Sequence, residues 1–489
     1  MKRVLALLLA LVLVTSAGAV YAAKELEAPA DQVVFTEQTL YGDLHAADGL
    51  QIRNQVQLGG NLVWDSTMDF SGSGFTDTTE HLYVNDVWND PRYQKPGFVY
   101  NGITIYSELN NSYECDGGAY MYMSEGLTMA QNELIAETPK GEEKEKILRM
   151  TDYFQYYPLM VDIQLPSILY GMYPEMIHSD ENESREIYAI RTIQEFFRIP
   201  LLNNEQYKMG IEKDEDGNVV RAWGGSLEEG DFYPVNCFSV ASDKACYFYI
   251  SNRTANGNPV DTSLIPGGYG IYILPYGQTE TKGDDGTHYG YDVFVDELRV
   301  FYPLDPQTRI LEMALSEDQK TLLLHTEENG KHVVTVIQAE NSEVSQRFVL
   351  ADYTEDSICE IVSVKDTFIV RIDTSYTILN RKSEKEWELL YQTVPTEMEK
   401  DESFIPLHGW YEHKYAFDGE RMAVVAHEIV SNGRGDSCGF ALAVYNKEGL
   451  QYYGTYESSL DKANAPAEVL SGSGFNRIMN LNSEITWKK

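Results

Sequence analysis

The chain of 489 residues carries 76 acidic and 38 basic residues, which gives a formal net charge of −38. A field of that sign repels phosphate backbones and anionic lipid surfaces, so the composition argues against a nucleic-acid partner. The hydrophobic fraction of 43% and the charged fraction of 23% are those of a globular protein with ample core material.

The first 22 residues have the pattern of an export signal. Lys2 and Arg3 form a basic start, an apolar run covers Val4–Val14, and small residues end at Ala22. We therefore predict a signal peptide over residues 1–22 and a secreted, extracytoplasmic protein, free or associated with the cell surface. The alternative is an uncleaved N-terminal anchor, the only route to a membrane that the sequence offers. Residues 23–40 are polar and acidic and predict a spacer before the folded body.

The five cysteines are too few for a disulfide framework in a chain of this length. Cys237 and Cys246 flank a turn at Ser242 and Asp243, so they are candidates for one disulfide across a hairpin. The alternative is that both are small core residues. No pair of cysteines has the C-x-x-C spacing of a zinc site or a redox dithiol.

Most of the chain has the alternation of half-buried strands. Leu50, Ile52, Val56 and Leu58 keep a period of two, and later segments repeat this pattern between polar turns. Strands on either side of Asp216-Gly217 predict a tight hairpin. Polar stretches at 66–79, 277–290 and 429–438 are interpreted as loops.

One helix is predicted. Asp180 and Glu183 resemble a capping box, apolar residues at Ile187, Ile190, Ile193 and Phe197 mark one face, and Pro200 ends the segment. Residues 128–150 contain a dense charge cluster and are interpreted as an exposed insertion, in part helical.

A strand pattern repeats in the second half of the chain. Strands that follow a polar turn begin at Thr321, Thr367 and Arg421, 46 and 54 residues apart. Units of that length, each with up to four short strands, are typical of the blades of a β-propeller. A pair of β-sandwiches is the alternative, but it explains the spacing less well.

Two hairpins resemble those of WD-repeat and YVTN-type propellers. Leu315–Leu324 (LSEDQKTLLL) is similar to the S-x-D-G-K-x-L hairpin of such blades, with Gln319 in place of the turn glycine, and Phe417–Val425 (FDGERMAVV) is similar too. The whole chain also resembles uncharacterised secreted propeller-like proteins of Gram-positive anaerobes. The resemblance implies an all-β fold. At about fifty residues per blade we expect a single β-propeller domain over residues 41–489, with about seven blades (between about six and eight), long loop insertions and one short helix.

Candidate ligands for a metal are few. Asp284, Asp285 and Asp292 lie in an oxygen-rich segment that could hold calcium, for which a solvated loop is the alternative. The spacing of Asp214, Asp216 and Asn218 matches the start of a calcium-binding loop. The glutamate that binds the ion at the end of such a loop is missing, so a hairpin turn is expected there. No other cofactor is expected. His427 and Glu428 begin an H-E-x-x-H motif that Ser431 breaks.

The sequence contains no catalytic constellation, so we expect a binding or scaffold module with an unknown protein or glycan ligand. The first alternative is a secreted glycan-active enzyme with acids around the propeller channel. The second is a surface sensor tethered by an uncleaved N-terminal segment. Whether the chain is an enzyme stays open, with the balance against it.

Overall fold

The computed structural model describes residues 15–16, 34–58, 62–72, 74–83, 102–116, 124–165, 168–170, 185–227, 239–254, 256–283, 286–355, 357–400, 404, 411–428, 439–459 and 478–488. Within them the protein is mostly β-structure, with seven antiparallel sheets and two α-helices. No helix in these ranges is long and apolar enough to cross a membrane.

The first fifteen strands are β1 (Phe35–Gly42), β2 (Leu50–Leu58), β3 (Leu62–Ser71), β4 (Gly74–Tyr83), β5 (Gly102–Ser107), β6 (Tyr113–Asp116), β7 (Glu143–Arg149), β8 (Leu159–Leu165), β9 (Ile168–Tyr170), β10 (Gln206–Lys213), β11 (Val219–Ser226), β12 (Ser239–Ala241), β13 (Ala245–Phe248), β14 (Gly270–Gly283) and β15 (Gly286–Val293). The others are β16 (Arg299–Pro303), β17 (Arg309–Leu315), β18 (Thr321–Glu328), β19 (Lys331–Gln338), β20 (Val344–Asp352), β21 (Cys359–Val364), β22 (Thr367–Ile372), β23 (Ser375–Ser383), β24 (Glu386–Gln392), β25 (Tyr411–Phe417), β26 (Met422–Glu428), β27 (Phe440–Asn446), β28 (Gly449–Ser458) and β29 (Ile478–Trp487). The helices are α1 (Glu125–Glu137) and α2 (Arg185–Phe196).

The chain groups into two compact units. The first unit comprises Met1–Phe98, Ser357–Ser383 and Trp387–Lys489. Its sheets have the strand orders β29-β2-β3-β4, β21-β22-β23-β24 and β1-β28-β27-β26-β25. Strands from the two ends of the described chain thus share sheets twice, because β29 pairs with β2 and β1 pairs with β28.

Arg421 ties these end strands to the turn before β26. Its guanidinium donates to the carbonyls of Ala46 and Asp48 at 3.0 Å each and lies 4.0 Å from the ring centroid of Trp487. A planar cation that satisfies two carbonyls while it stacks on an indole stabilises all three segments together.

The second unit comprises Val99–Asp356 and Glu384–Glu386. Its sheets are β5-β8-β9, β6-β11-β10-β7, β12-β13-β14-β15 with β16 on β14, and β17-β18-β19-β20. Both helices pack on its core, through residues such as Leu134 on α1 and Ile193 on α2, each with no exposed surface. Lys213 donates its ammonium to the carbonyls of Ile135 and Thr138 and so caps the end of α1.

The predicted repeat is confirmed strand by strand. The predicted starts at Thr321 and Thr367 coincide with β18 and β22, and the third precedes β26 by one residue. Each of these is an inner strand flanked by partners on both sides. All six residues of β22 are buried, as are the first six of β18. Strands buried on both faces have runs of apolar residues, and these runs made the repeat recognisable in the sequence.

The helix content differs from the sequence prediction. Helix α2 confirms the predicted helix, but the expectation of one short helix was wrong, since α1 is a second. It overlaps the start of residues 128–150, so the expectation that this segment is in part helical is confirmed. The helix is not exposed on all sides, because it buries Leu127, Ala130 and Leu134. Its sequence, EGLTMAQNELIAE, has few large apolar residues among small and polar ones, so the periodicity was weak.

Three stretches that looked like spacer or loop are strands. β1 begins at Phe35, inside the predicted spacer of residues 23–40. The polar stretch 66–79 forms most of the β3–β4 hairpin, and 277–290 forms much of the β14–β15 hairpin. Alternate Ser, Thr, Asp and Glu side chains give such strands no strong hydrophobic signal, although the backbone ladder is complete.

Candidate functional site

A buried polar network lies between sheets of the first unit. Arg371 on β22 and Glu360 on β21 are cross-strand partners, and Tyr415 on β25 donates to Glu360 Oε2 at 2.6 Å. Arg371 Nη1 and His413 Nδ1 lie 3.5 and 3.6 Å from the same oxygen. Burial alone would raise the pKa of Glu360, but His413, Tyr415 and Arg371 outweigh it and hold that pKa below its usual range.

A second carboxyl of this unit has the opposite shift. Glu399 has no exposed surface, and Thr396 donates its backbone N–H and its hydroxyl to Oε2 at 2.8 and 3.0 Å. Burial raises the pKa of Glu399 above its usual value. Two carboxyls with opposed pKa shifts are what acid–base chemistry needs. Because Glu399 is closed off from solvent, however, the arrangement is better explained as a hydrogen-bonded support for packing.

The sheet β6-β11-β10-β7 of the second unit offers a more accessible site. Trp223 on β11 lies opposite Gly210 on β10. A Cβ atom at Gly210 would fall 2.0 Å from Cζ2 of the indole, so the ring lies directly over that glycine. Only glycine permits this approach, which fixes a large aromatic ring on the open face of the sheet.

A hollow of about 480 Å³ opens beside this ring. It is lined by Ser112, Tyr113, Glu114, Lys208, Trp223, Gly224 and Gly225. Gly225 keeps it open, because a Cβ there would lie 3.1 Å from Cβ of Ser112. Gly224 faces the other side of the sheet, where a Cβ would lie 2.5 Å from Tyr113 and 2.8 Å from Tyr207. We call this cavity the Trp223 hollow.

Charged side chains border the Trp223 hollow in pairs. Arg221 Nη2 lies 2.6 Å from Glu114 Oε1, and its Cζ is 4.9 Å from the centroid of the Trp223 ring. Lys208 Nζ lies 2.8 Å from Glu145 Oε2. The hydrogen bond from Lys208 lowers the pKa of Glu145, and the bond to Glu114 raises the pKa of Arg221. The hollow thus combines an aromatic wall with fixed donors and acceptors, the chemistry of a small polar ligand with apolar faces.

The predicted calcium ligands are only partly described. Asp284 and Asp285 lie outside the described residues. Asp292 accepts hydrogen bonds from Tyr170 at 2.9 Å and Arg185 at 3.2 Å, near the base of the β14–β15 hairpin. The calcium site stays a prediction. The turn at Asp214 is the expected hairpin, in which Asn218 donates its backbone N–H to Asp214 Oδ1 at 2.7 Å.

The predicted disulfide likewise stays a prediction, since Cys237 lies outside the described residues. Cys246 carries a free, fully buried thiol, and its cross-strand neighbour is Ala241. Burial raises the pKa of this thiol to about 12, a direction that makes a thiol unreactive.

Sequence reasoning placed Trp223 on a strand but did not assign it a role. The available signal was the run Trp223-Gly224-Gly225 together with Gly210, because glycines inside strands mark places where a side chain or ligand approaches the backbone. Which glycine faces which ring is decided by strand register, and no sequence pattern specified it.

No protein-family model matches the chain, and no curated protein matches it. Among solved structures, a Bacteroides uniformis protein provisionally assigned as a 6-phosphogluconolactonase has 12% identity and a TM-score of 0.25, over 52% of this chain and 67% of its own. A protein of unknown function from Desulfotomaculum acetoxidans has 10% identity and a TM-score of 0.21, over 60% and 86%.

A quinonprotein alcohol dehydrogenase-like protein from Bacteroides thetaiotaomicron has 8% identity and a TM-score of 0.17, over 87% and 93%. Likenesses this distant carry no argument about fold or activity.

Proposed function

We propose that the protein is an exported binding module whose Trp223 hollow holds a carbohydrate. In this proposal one β-propeller domain begins with β1 at Phe35 and has the seven sheets as its blades. Successive four-stranded antiparallel sheets at β17–β20 and β21–β24 and the pairing of β29 with β2 support that architecture, whereas β5-β8-β9 and β6-β11-β10-β7 interleave in the chain. The N-terminal segment supports export.

The observation that carries the carbohydrate assignment is the Trp223 ring fixed over Gly210 at the wall of the hollow. A pyranose has apolar C–H faces and polar edges, so it can pack a face on an indole while its hydroxyls meet nearby donors and acceptors. Lys208, Glu114 and Ser112 provide both kinds of group on the same lining. A volume of about 480 Å³ accommodates one or two sugar units.

The test is calorimetric titration of the full chain with neutral oligosaccharides, namely cello-, xylo- and chitotetraose. If one binds, Trp223→Ala should weaken binding at least about tenfold, because the wall of the hollow is removed. Tyr291→Ala is the matched control, since Tyr291 is an aromatic residue of the same unit with 47% of its surface exposed, outside the hollow.

Unchanged affinity in Trp223→Ala, or binding to none of the glycans, would refute the proposal. Release of new reducing ends from a bound oligosaccharide would instead favour the glycan-active enzyme.

A further inference from the structure

The face of the sheet that carries Trp223 has an excess of acid. Strand register places the following side chains on this face: acidic Glu114, Asp116, Glu143, Glu145 and Glu212, and basic Arg149, Lys208 and Arg221. Five acids against three bases leave the face net negative, within a chain whose formal charge is −38. An approaching cation is therefore attracted both locally and by the protein as a whole.

The Trp223 ring already accepts a cation. The guanidinium of Arg221 lies 4.9 Å from its centroid, held there by Glu114. The indole ring thus already lies against positive charge, and an ammonium group of a ligand would share the ring with Arg221 or displace it. Glu114 lines the hollow itself and has 59% of its side chain exposed, so one of its oxygens can also meet a ligand.

We infer that the Trp223 hollow selects its ligand by charge, and prefers a glycan that carries protonated amines over a neutral one and a neutral one over a polyuronate. The inference rests on the proposed carbohydrate function and adds the class of sugar. Glu114 is the residue that determines the preference, because among the acids of this face it lines the hollow. Lys208 lies on the same lining and is paired with Glu145 at 2.8 Å. Arg221 bonds to Glu114 through Oε1, which leaves Oε2 of Glu114 to meet a ligand ammonium.

Two tetrasaccharides of equal length separate charge from shape. Glucosamine tetramer carries amines, and its N-acetylated counterpart does not. We expect the amine form to bind at least about tenfold more tightly at about 20 mM salt, and the advantage to shrink to about threefold or less at about 500 mM, where screening is strong. A tetragalacturonate should bind more weakly than the neutral tetramer at about 20 mM salt, and this difference should also shrink at about 500 mM.

Two variants test the hollow itself. Glu114→Gln should reduce the preference for the amine severalfold, whereas Glu143→Gln, which changes an acid of the same face outside the hollow, should not. Gly225→Ala should abolish binding of both tetramers, because its Cβ enters the lining 3.1 Å from Cβ of Ser112. Gly290→Ala is its control, since a Cβ there has no neighbour closer than 3.9 Å.

The outcomes separate the inference from the function. If neutral tetramers bind through Trp223 but the amine brings no gain, or if the uronate binds as well as either, the charge inference fails while the carbohydrate function stands. If no tetramer binds, or Trp223→Ala leaves the affinity for all of them unchanged, both fail.

Discussion

The sheets β17-β18-β19-β20 and β6-β11-β10-β7 belong to the same unit but differ in how much of their faces is buried. In the first, the inner strand β18 is buried over six successive residues, because both of its faces are covered. In the second, β7 alternates between exposed and more buried residues, so that one face of the sheet is open to solvent. A repeat in the sequence reveals the covered sheet, and the open face carries the candidate site. The sequence repeat therefore indicates which strands are packed on both faces. The sheet that lacks this repeat has the face that a ligand could reach.

The largest expected effect contrasts the two sheets directly. Leu324 on β18 has no exposed surface and lies in a buried cluster with Leu322 and Ile337. Leu324→Ala should cost about 3 kcal/mol of unfolding free energy, from lost burial and the cavity left behind. Ile147→Ala, at a position 57% exposed on the open sheet, should cost less than about 0.5 kcal/mol. Urea denaturation measures both, and equal losses would contradict the contrast.

A buried histidine pair makes the covered sheet sensitive to acid. His325 Nε2 lies 3.0 Å from His332 Nδ1, and neither residue has exposed surface. Burial, with a smaller effect of His332, lowers the pKa of His325 from 6.5 to about 3. Because the unfolded state takes up this proton near pH 6.5 and the folded state only near pH 3, stability is complete above pH 6.5 and falls as the pH decreases.

Between pH 7 and pH 5, above most carboxyl titrations, His325 alone should cost about 2 kcal/mol. Denaturation of the wild-type chain and of His325→Leu across this range measures the effect. The variant should lose most of this slope, whatever its absolute stability. A wild-type slope that survives in His325→Leu would show that another group is responsible.

The smallest expected effect concerns Gln319, which stands where similar hairpins have glycine. Gln319 has φ of 60°, in the left-handed region that glycine tolerates best. Its side chain accepts from the backbone N–H of Asp243 at 2.8 Å and donates to Asp243 Oδ1 at 3.1 Å. These bonds offset the backbone strain by joining two neighbouring turns.

We expect Gln319→Gly to stay within about 0.5 kcal/mol of the wild type, because relief of strain balances the lost bonds. Gln319→Ala should cost about 1 kcal/mol, since it keeps the strain and loses the bridge. Urea midpoints distinguish the two, and equal losses would show that the left-handed conformation costs little here.

The sequence by itself determined the all-β class, the three repeated strand sets and helix α2, because apolar periodicity is written locally wherever a strand or helix buries a face. It indicated α1 only as a partly helical insertion and missed the strand β1 and the polar hairpins, since their stability comes from backbone pairing and distant neighbours and not from local hydrophobicity. The buried network of Arg371, Glu360 and Tyr415 and the hollow beside Trp223 depend on strand register. They also depend on partners far apart in the chain, such as Tyr415 with Glu360 and Arg221 with Glu114. Only the tertiary structure decided those contacts, because a shift of one residue in pairing would turn each of these side chains to the other face of its sheet.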